Sequence, residues 1–327
     1  MKVLVTGTAG FIGYFTAMAL LREGHEVLGI DNLNDYYDVT LKKTRLEMLK
    51  SHNYFSFVLC DIADRENIHK LFRENHDITE IIHLAAQPGV RYSLINPYVY
   101  ARTNIDGHLI LLEECRNLLG LKHFIFASSS SVYGESSELP FSTKHSSDNP
   151  VSLYAATKKS MEVISHSYAQ LYKIPLTGLR FFTVYGPWGR PDMAYYLFTK
   201  KILAEEPIPV FNNGEMRRDF TYIDDIVTGL LSCLIKPPSD FASVPFRIYN
   251  IGNNKSESLM DFISEIEKAL GKKADLCFQP MQAGDVRETF ADIDEMKRDF
   301  GFEPIIRIEE GVPIFVKWFK TFYNITG

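Results

Sequence analysis

The first thirty-one residues restrict the fold more than any other stretch of the chain. Lys2-Val3-Leu4-Val5-Thr6 has the length and apolar content of a short buried strand, and Gly7-Thr8-Ala9-Gly10-Phe11-Ile12-Gly13 follows it directly. An apolar-periodic segment then runs through Leu21, Gly24-His25 breaks it, and Glu26-Val27-Leu28-Gly29-Ile30-Asp31 reads as a second strand ending in an acid. A strand, a glycine-rich turn, a helix and a strand closed by a carboxylate form the context in which spaced glycines make a dinucleotide site. Gly7, Gly10 and Gly13 allow a tight turn, close approach of backbone to a pyrophosphate, and close packing of helix on strand. At Phe11 and Ile12 the helix N-terminus offers free N–H groups and the positive end of its dipole. Asp31, eighteen residues after Gly13, can accept from a ribose 2′-hydroxyl and would repel a 2′-phosphate. The cofactor expected is therefore NAD rather than NADP.

Strand and helix patterns alternate through the first 180 residues, which implies a doubly wound parallel sheet covered by helices on both faces. Further strands are expected at Phe55–Leu59, Glu80–Leu84, His123–Ala127 and Leu176–Phe182, and helices at Glu66–Glu74, Asn104–Leu119 and Leu153–Tyr172. Beyond 182 the pattern loosens, with Pro187, Pro191, Pro207, Pro209 and Pro237-Pro238 interrupting the chain. A length of 327 residues suits two intimately packed lobes. The net charge of −6 provides no general basic surface for nucleic acid. Cys60, Cys115, Cys233 and Cys277 are far apart, form no C-x-x-C pair, and are expected to be buried reduced thiols of a cytoplasmic protein. No apolar run approaches the ~20 residues of a membrane span. The first strand begins too early for a signal peptide. No cluster of metal-ligand spacing is present, so no metal is expected.

Tyr154 and Lys158 in Tyr154-Ala155-Ala156-Thr157-Lys158 lie one helical turn apart, on one face. A neighbouring ammonium is expected to favour the phenolate and lower a pKa that is about 10 in water. Such a base can take the proton of an alcohol while hydride leaves the same carbon. The run Ser128-Ser129-Ser130-Ser131 ends the strand expected before Val132-Tyr133-Gly134, twenty-three residues ahead of Tyr154. Ser129 and Ser131 should face the same side if strand geometry persists, and either hydroxyl can relay a proton between substrate and Tyr154. Ser128 and Ser130 are expected to satisfy backbone groups in the turn.

These glycines follow G-x-x-G-x-x-G spacing. With Asp61-Ile62 after the third strand, Leu84-Ala85-Ala86 after the fourth, and Tyr154/Lys158, the chain resembles the extended short-chain dehydrogenase/reductase family over nearly its full length. Within it, the resemblance is to NAD-dependent nucleotide-sugar epimerases of the UDP-glucuronate 4-epimerase kind. It is carried by Asp31-Asn32-Leu33-Asn34-Asp35-Tyr36-Tyr37-Asp38, Ala85-Ala86-Gln87-Pro88-Gly89-Val90-Arg91-Tyr92-Ser93, Arg180 through Ala194, and Gly284-Asp285-Val286. The resemblance implies a Rossmann-type NAD-binding domain over 1–182, rejoined by 223–254, and a smaller interdigitated α/β lobe from 183–222 and 255–327 that binds the nucleotide sugar. It adds Asn32, Asn34, Asp61, Ile62, Leu84, Ala85 and Ala86 to the cofactor-binding residues. To the substrate it assigns Gln87, Arg91, Thr183, Arg190, Arg218, Gln282 and Asp285, with Arg287 at the same rim and Asn104 as a brace to backbone. It also implies a homodimer built on two helices per subunit.

In the chemistry so implied, Tyr154 takes the O4 proton of a UDP-sugar, C4 hydride passes to NAD, and the 4-keto sugar turns before hydride and proton return. Arg218 would hold the diphosphate, and Thr183 and Arg190 the C6 carboxylate of a glucuronate. Both Ser129 and Ser131 have equivalents implicated in the family, and Ser131 is preferred. Related dehydratases and decarboxylases carry an acid at the position of Ser130 or Ser131; only hydroxyls stand here. UDP-glucose/galactose or N-acetylhexosamine 4-epimerisation, UDP-glucuronate decarboxylation and a non-catalytic NAD-binding role are the competing expectations.

Overall fold

The computed structural model describes residues 1–136, 138–239, 243–282 and 285–325; Gly284 of the Gly284-Asp285-Val286 motif lies outside them. Seven strands form one sheet in the order Phe246–Ile251, Leu176–Phe181, His123–Ser129, Glu80–His83, Lys2–Thr6, Glu26–Asp31, Phe55–Leu59. Every neighbouring pair is parallel. The chain starts in the middle, winds outward to Phe55–Leu59, then crosses back to Glu80–His83 on the other side of Lys2–Thr6. That reversal is the topological switch point at which open α/β sheets of the Rossmann type bind ligands.

Strand alternation divides the core between the two faces. Val3 and Val5 pack with the helices Phe11–Arg22 and Ile223–Leu234, while Leu4 packs with the helices Arg65–Glu74, Gly107–Cys115 and Leu153–Tyr172. The first of these clusters runs on without interruption into Tyr185, Phe262 and Phe315. The sheet and the C-terminal part are therefore welded through one continuous apolar mass, and a helix such as Leu259–Leu270 buries its Phe262, Ile263 and Ile266 stripe against it.

The remaining strands are short. Thr183–Tyr185 pairs parallel with Phe220–Tyr222, Ile208–Phe211 with Leu276–Gln279, and Arg217–Arg218 is flanked by Glu257–Ser258 and Glu288–Thr289. Their loops overhang the carboxyl ends of the large sheet. Between the fourth strand and the helix Gly107–Cys115, a π-helical stretch Ala101–Asp106 holds Asn104 inward; such widened turns often occur at functional sites. Cys60, Cys115 and Cys233 are buried thiols, whereas Cys277 is exposed, because it sits on an edge strand of only four residues. No helix among the described residues is long and apolar enough to cross a membrane.

Candidate active site

A cavity of about 840 Å³ opens at the carboxyl ends of the central strands and continues between the overhanging loops. Its floor is the turn after Lys2–Thr6. Gly7 has φ of +70°, and a Cβ there would lie 2.8 Å from the backbone N of Ala85. A Cβ on Gly13 would stand 2.1 Å from the Gly7 carbonyl oxygen, so the helix can start against the turn only with glycine at that position. No side chain caps this helix and no acid occupies its first turn. Its leading N–H groups therefore face the cavity without an intrahelical partner. Gly7, Gly10, Phe11, Ile12, Gly13, Asp31, Asn32, Asn34, Ile62, Leu84, Ala85 and Ala86 all line the cavity.

The Asp31 carboxylate accepts from the backbone N–H groups of Ala9 (3.1 Å) and Leu33 (2.8 Å), which fixes it across the mouth of the turn. Burial pushes its pKa up, and the Lys42 charge with those two N–H bonds pulls it back. A glycine cradle, an uncapped helix start and a carboxylate at the end of the second strand suit a dinucleotide whose ribose diol is free. Asp61 does not line the cavity: it pairs with Arg102 at 3.0 Å and accepts from Ala63 N.

Tyr154 is placed by the start of its helix. Ser152 accepts from Ala155 N–H as the N-cap, so Leu153–Tyr172 begins one residue ahead of the tyrosine. Lys158, one turn on, is buried and donates to the Ala127 carbonyl at 2.8 Å. Burial pushes the Lys158 ammonium down to about 7. The phenol of the half-buried Tyr154 is pushed above its ordinary range by desolvation, and the Ser129 hydrogen bond and the Arg190 charge pull it back. The expectation that Lys158 acidifies Tyr154 is thus not met within the protein alone, where the lysine is spent on a strand carbonyl and itself desolvated. Ser129 and Arg190 favour the phenolate, without outweighing the desolvation.

The strand persists only to Ser129; Ser130–Tyr133 turns into a 3₁₀ helix. This turn, not strand alternation, brings the Ser129 and Ser131 hydroxyls to 3.1 Å of each other beside Tyr154. Ser128 is not a turn-former. It is buried and donates to Glu162 Oε1 at 2.6 Å. Glu162, two turns beyond Tyr154 on the same helix, also takes a double hydrogen bond from Arg180, at 2.8 Å each.

Thr183 and Arg190 line the same cavity as Tyr154. Arg190 is already bound by Asp192 through two hydrogen bonds. At the far end Arg91, Arg218 and Asp285 converge: Arg91 pairs with Asp285 at 3.1 Å and lies 4.8 Å from the Phe211 ring centre. Burial lowers the Arg218 pKa, with Asp285 raising and Arg91 lowering it further. Two arginines beside an aromatic ring can hold a diphosphate and a stacked base.

Gln87 and Gln282 stand off the cavity wall. Gln87 is buried and tied by its backbone to Asn104, whose amide also reaches Thr157 at 3.0 Å, while the Gln282 carbonyl accepts from Asp285 N–H. Arg287 is exposed and pairs with Glu215. Sequence reasoning missed Tyr36, Arg45, Glu162, Asp192 and Phe211. Arg45 is fully buried and donates to the Ala9 carbonyl at 2.9 Å and the Gly189 carbonyl at 3.2 Å, joining the glycine turn to the segment that carries Arg190. Tyr36 and Asp192 lay inside or beside quoted motifs, which was a usable signal; the other three had none. Among the described residues no group of acids, histidines or cysteines could hold a metal.

A Rossmann-type sheet, a glycine cradle at its switch point, a tyrosine–lysine pair and an arginine-lined annex define a dinucleotide-dependent enzyme that acts on the alcohol of an anionic substrate. Residues 3–252 match the NAD dependent epimerase/dehydratase family, and the chain belongs to it. A probable UDP-glucuronate 4-epimerase of Rhizobium meliloti is 45% identical across 99% of this chain and 98% of its own. The UDP-glucuronic acid 4-epimerase of Bacillus cereus, solved with UDP-glucuronic acid and NAD, superposes with a TM-score of 0.91 at 36% identity, over 99% of this chain and 100% of its own. The Thermotoga maritima UDP-glucose 4-epimerase, solved with UDP-glucose, gives 0.88 at 30% identity with the same coverage.

Proposed function

We propose that this protein inverts C4 of a UDP-sugar with resident NAD, interconverting UDP-glucuronate and UDP-galacturonate. The observation that carries the reading is that one cavity is lined by Tyr154, Ser129 and Ser131, by Thr183 and Arg190, by the glycine cradle and by Arg218. The glycine cradle of Gly7, Gly10 and Gly13, with Asp31 at its mouth, would hold NAD, which would supply the hydride acceptor and donor for C4. Tyr154 takes the O4 proton as the alcohol is oxidised and gives it back on reduction; Ser129 and Ser131 relay it and hold O4 in line. Lys158 fixes the tip of the His123–Ser129 strand through Ala127. Arg218, with Arg91 and Asp285, anchors the nucleotide so that only the sugar turns. Thr183 and Arg190 receive the C6 carboxylate and hold the C5–C6 bond away from the geometry in which a β-keto acid loses carbon dioxide. No carboxylate replaces Ser130 or Ser131 to drive dehydration or decarboxylation.

The chain divides in this reading into a cofactor domain, 1–182 with 223–254, and a sugar-nucleotide lobe, 183–222 with 255–327. It works as a cytoplasmic homodimer. The buried unpaired thiols support the compartment, and exposed Leu109, Val163 and Leu171 on the helices Gly107–Cys115 and Leu153–Tyr172 support the dimer. A neutral hexose is the second reading, favoured by the Asp192 carboxylate that cancels the Arg190 charge. Incubation with UDP-glucuronate, UDP-glucose and their N-acetyl analogues, without added cofactor, decides between them by product stereochemistry. Turnover of UDP-glucose far above UDP-glucuronate selects the second reading; no inversion of any of them rejects both.

A further inference from the structure

The guanidinium assigned to the substrate carboxylate already has a carboxylate. Arg190 Nε donates to Asp192 Oδ1 at 3.1 Å and Nη2 to Oδ2 at 2.6 Å, a side-on fork that uses the geometry best suited to a carboxylate. Oδ2 also accepts from Tyr36 Oη at 3.2 Å, so a residue from the loop after Glu26–Asp31 steadies the pair. All three side chains line the cavity that holds Tyr154 and Thr183. The fork uses the Nε hydrogen and one Nη2 hydrogen; among the described residues Nη1 makes no hydrogen bond, so the other edge of the guanidinium, Nη1 with the second Nη2 hydrogen, stays open to a ligand. Burial pushes the Asp192 carboxyl up, but the Arg190 charge and hydrogen bonds, with that of Tyr36, outweigh it and hold it low. Asp192 is therefore ionised throughout the neutral range, and the sugar end of the cavity carries a neutral ion pair in place of a bare cation.

A bare guanidinium would hold a substrate carboxylate with its full charge and resist its departure. C4 inversion requires the sugar to leave that contact between the two hydride transfers, and equal stabilisation of every bound state does not speed such a step. We propose that Asp192, steadied by Tyr36, is the specificity-determining counter-ion of Arg190, neutralising its charge and leaving only the outer edge of its guanidinium to the C6 carboxylate, so that a uronate is recognised yet free to turn. This rests on the C4-epimerase reading above.

The test is calorimetric titration of NAD-loaded protein carrying Tyr154→Phe, which stops turnover, with UDP-glucuronate and with UDP-glucose. Adding Asp192→Asn should tighten UDP-glucuronate about tenfold, equivalent to ~1.4 kcal/mol, and move UDP-glucose by less than about twofold. Asp192→Ser should act in the same direction, and Asp192→Glu should restore the original ratio. With Tyr154 intact, Asp192→Asn should lower KM and kcat together for UDP-glucuronate only. Unchanged or weaker UDP-glucuronate binding in both charge-removing variants, or equal shifts for the two ligands, overturns the proposal. Failure of the epimerase reading shows separately, as absence of C4 inversion by the unsubstituted protein.

Discussion

Arg180→Met should be among the most damaging single changes outside the cavity wall. The Arg180 and Glu162 side chains are only 4% and 5% exposed, and they share two hydrogen bonds of 2.8 Å. Arg180 also donates to Ser147 at 3.1 Å, and its guanidinium carbon lies 4.7 Å from the Tyr133 ring centre. Without the arginine, Glu162 remains buried with Ser128 at 2.6 Å and Lys159 no nearer than 3.9 Å. Removing one partner of a buried pair costs about 3–5 kcal/mol because the other charge is left uncompensated. That is a large part of the roughly 5–15 kcal/mol that holds a typical domain folded. Equilibrium urea denaturation measures the loss, and Glu162→Leu/Arg180→Met should recover most of it by removing both charges. Because Ser128 precedes Ser129, kcat should fall in the single variant even where the fold survives. A loss below about 1 kcal/mol, or a double variant as unstable as the single one, refutes the reasoning.

Gly13→Ala would put a methyl 2.1 Å from the Gly7 carbonyl oxygen, so the turn must open; the expected loss is about 1–3 kcal/mol of stability with at least a comparable loss in NAD affinity, read by calorimetric titration. Lys158 has a folded pKa of about 7, below its unfolded value near 10.5. Between those values the unfolded chain binds the extra proton, so this residue makes the cofactor-free protein gain stability as pH rises from 7 towards 10; Lys158→Met should flatten that slope in thermal denaturation across the range. Arg190→Ala should reduce kcat/KM for UDP-glucuronate by about tenfold or more while changing UDP-glucose much less, and equal losses would remove Arg190 from carboxylate recognition.

Much of the sheet was readable because each central strand is a short apolar run bounded by breakers. Phe55–Leu59 and Leu153–Tyr172 occur at the residues expected, while the second expected helix, Asn104–Leu119, is a π-helical turn followed by a regular helix only over Gly107–Cys115. A local change from four- to five-residue hydrogen bonding leaves the apolar spacing nearly intact, so periodicity does not reveal it. The strands of two to four residues around 183–222 and 257–289 are too short to carry a period at all.

Motif residues at the cavity were legible where their role depends on backbone shape, as with Gly7 and Gly13. Partnerships across the fold were not. Nothing local joins Ser128 to Glu162 or Arg45 to Ala9 and Gly189. The serine run shows the same limit, since the proximity of Ser129 and Ser131 comes from a 3₁₀ turn rather than the strand repeat that suggested it. Arg190 and Asp192 are two residues apart, but only the folded segment reveals that they bind each other rather than separate ligands.

The central claim is that C4 is oxidised and reduced in place, with Tyr154 handling the proton. UDP-glucuronate carrying deuterium at C4, incubated with the purified protein in ordinary water, tests it by proton NMR and mass spectrometry. UDP-galacturonate that retains the deuterium at C4, and no such product from Tyr154→Phe, is the predicted result. Deuterium lost to water, or inversion undiminished in Tyr154→Phe, would contradict it.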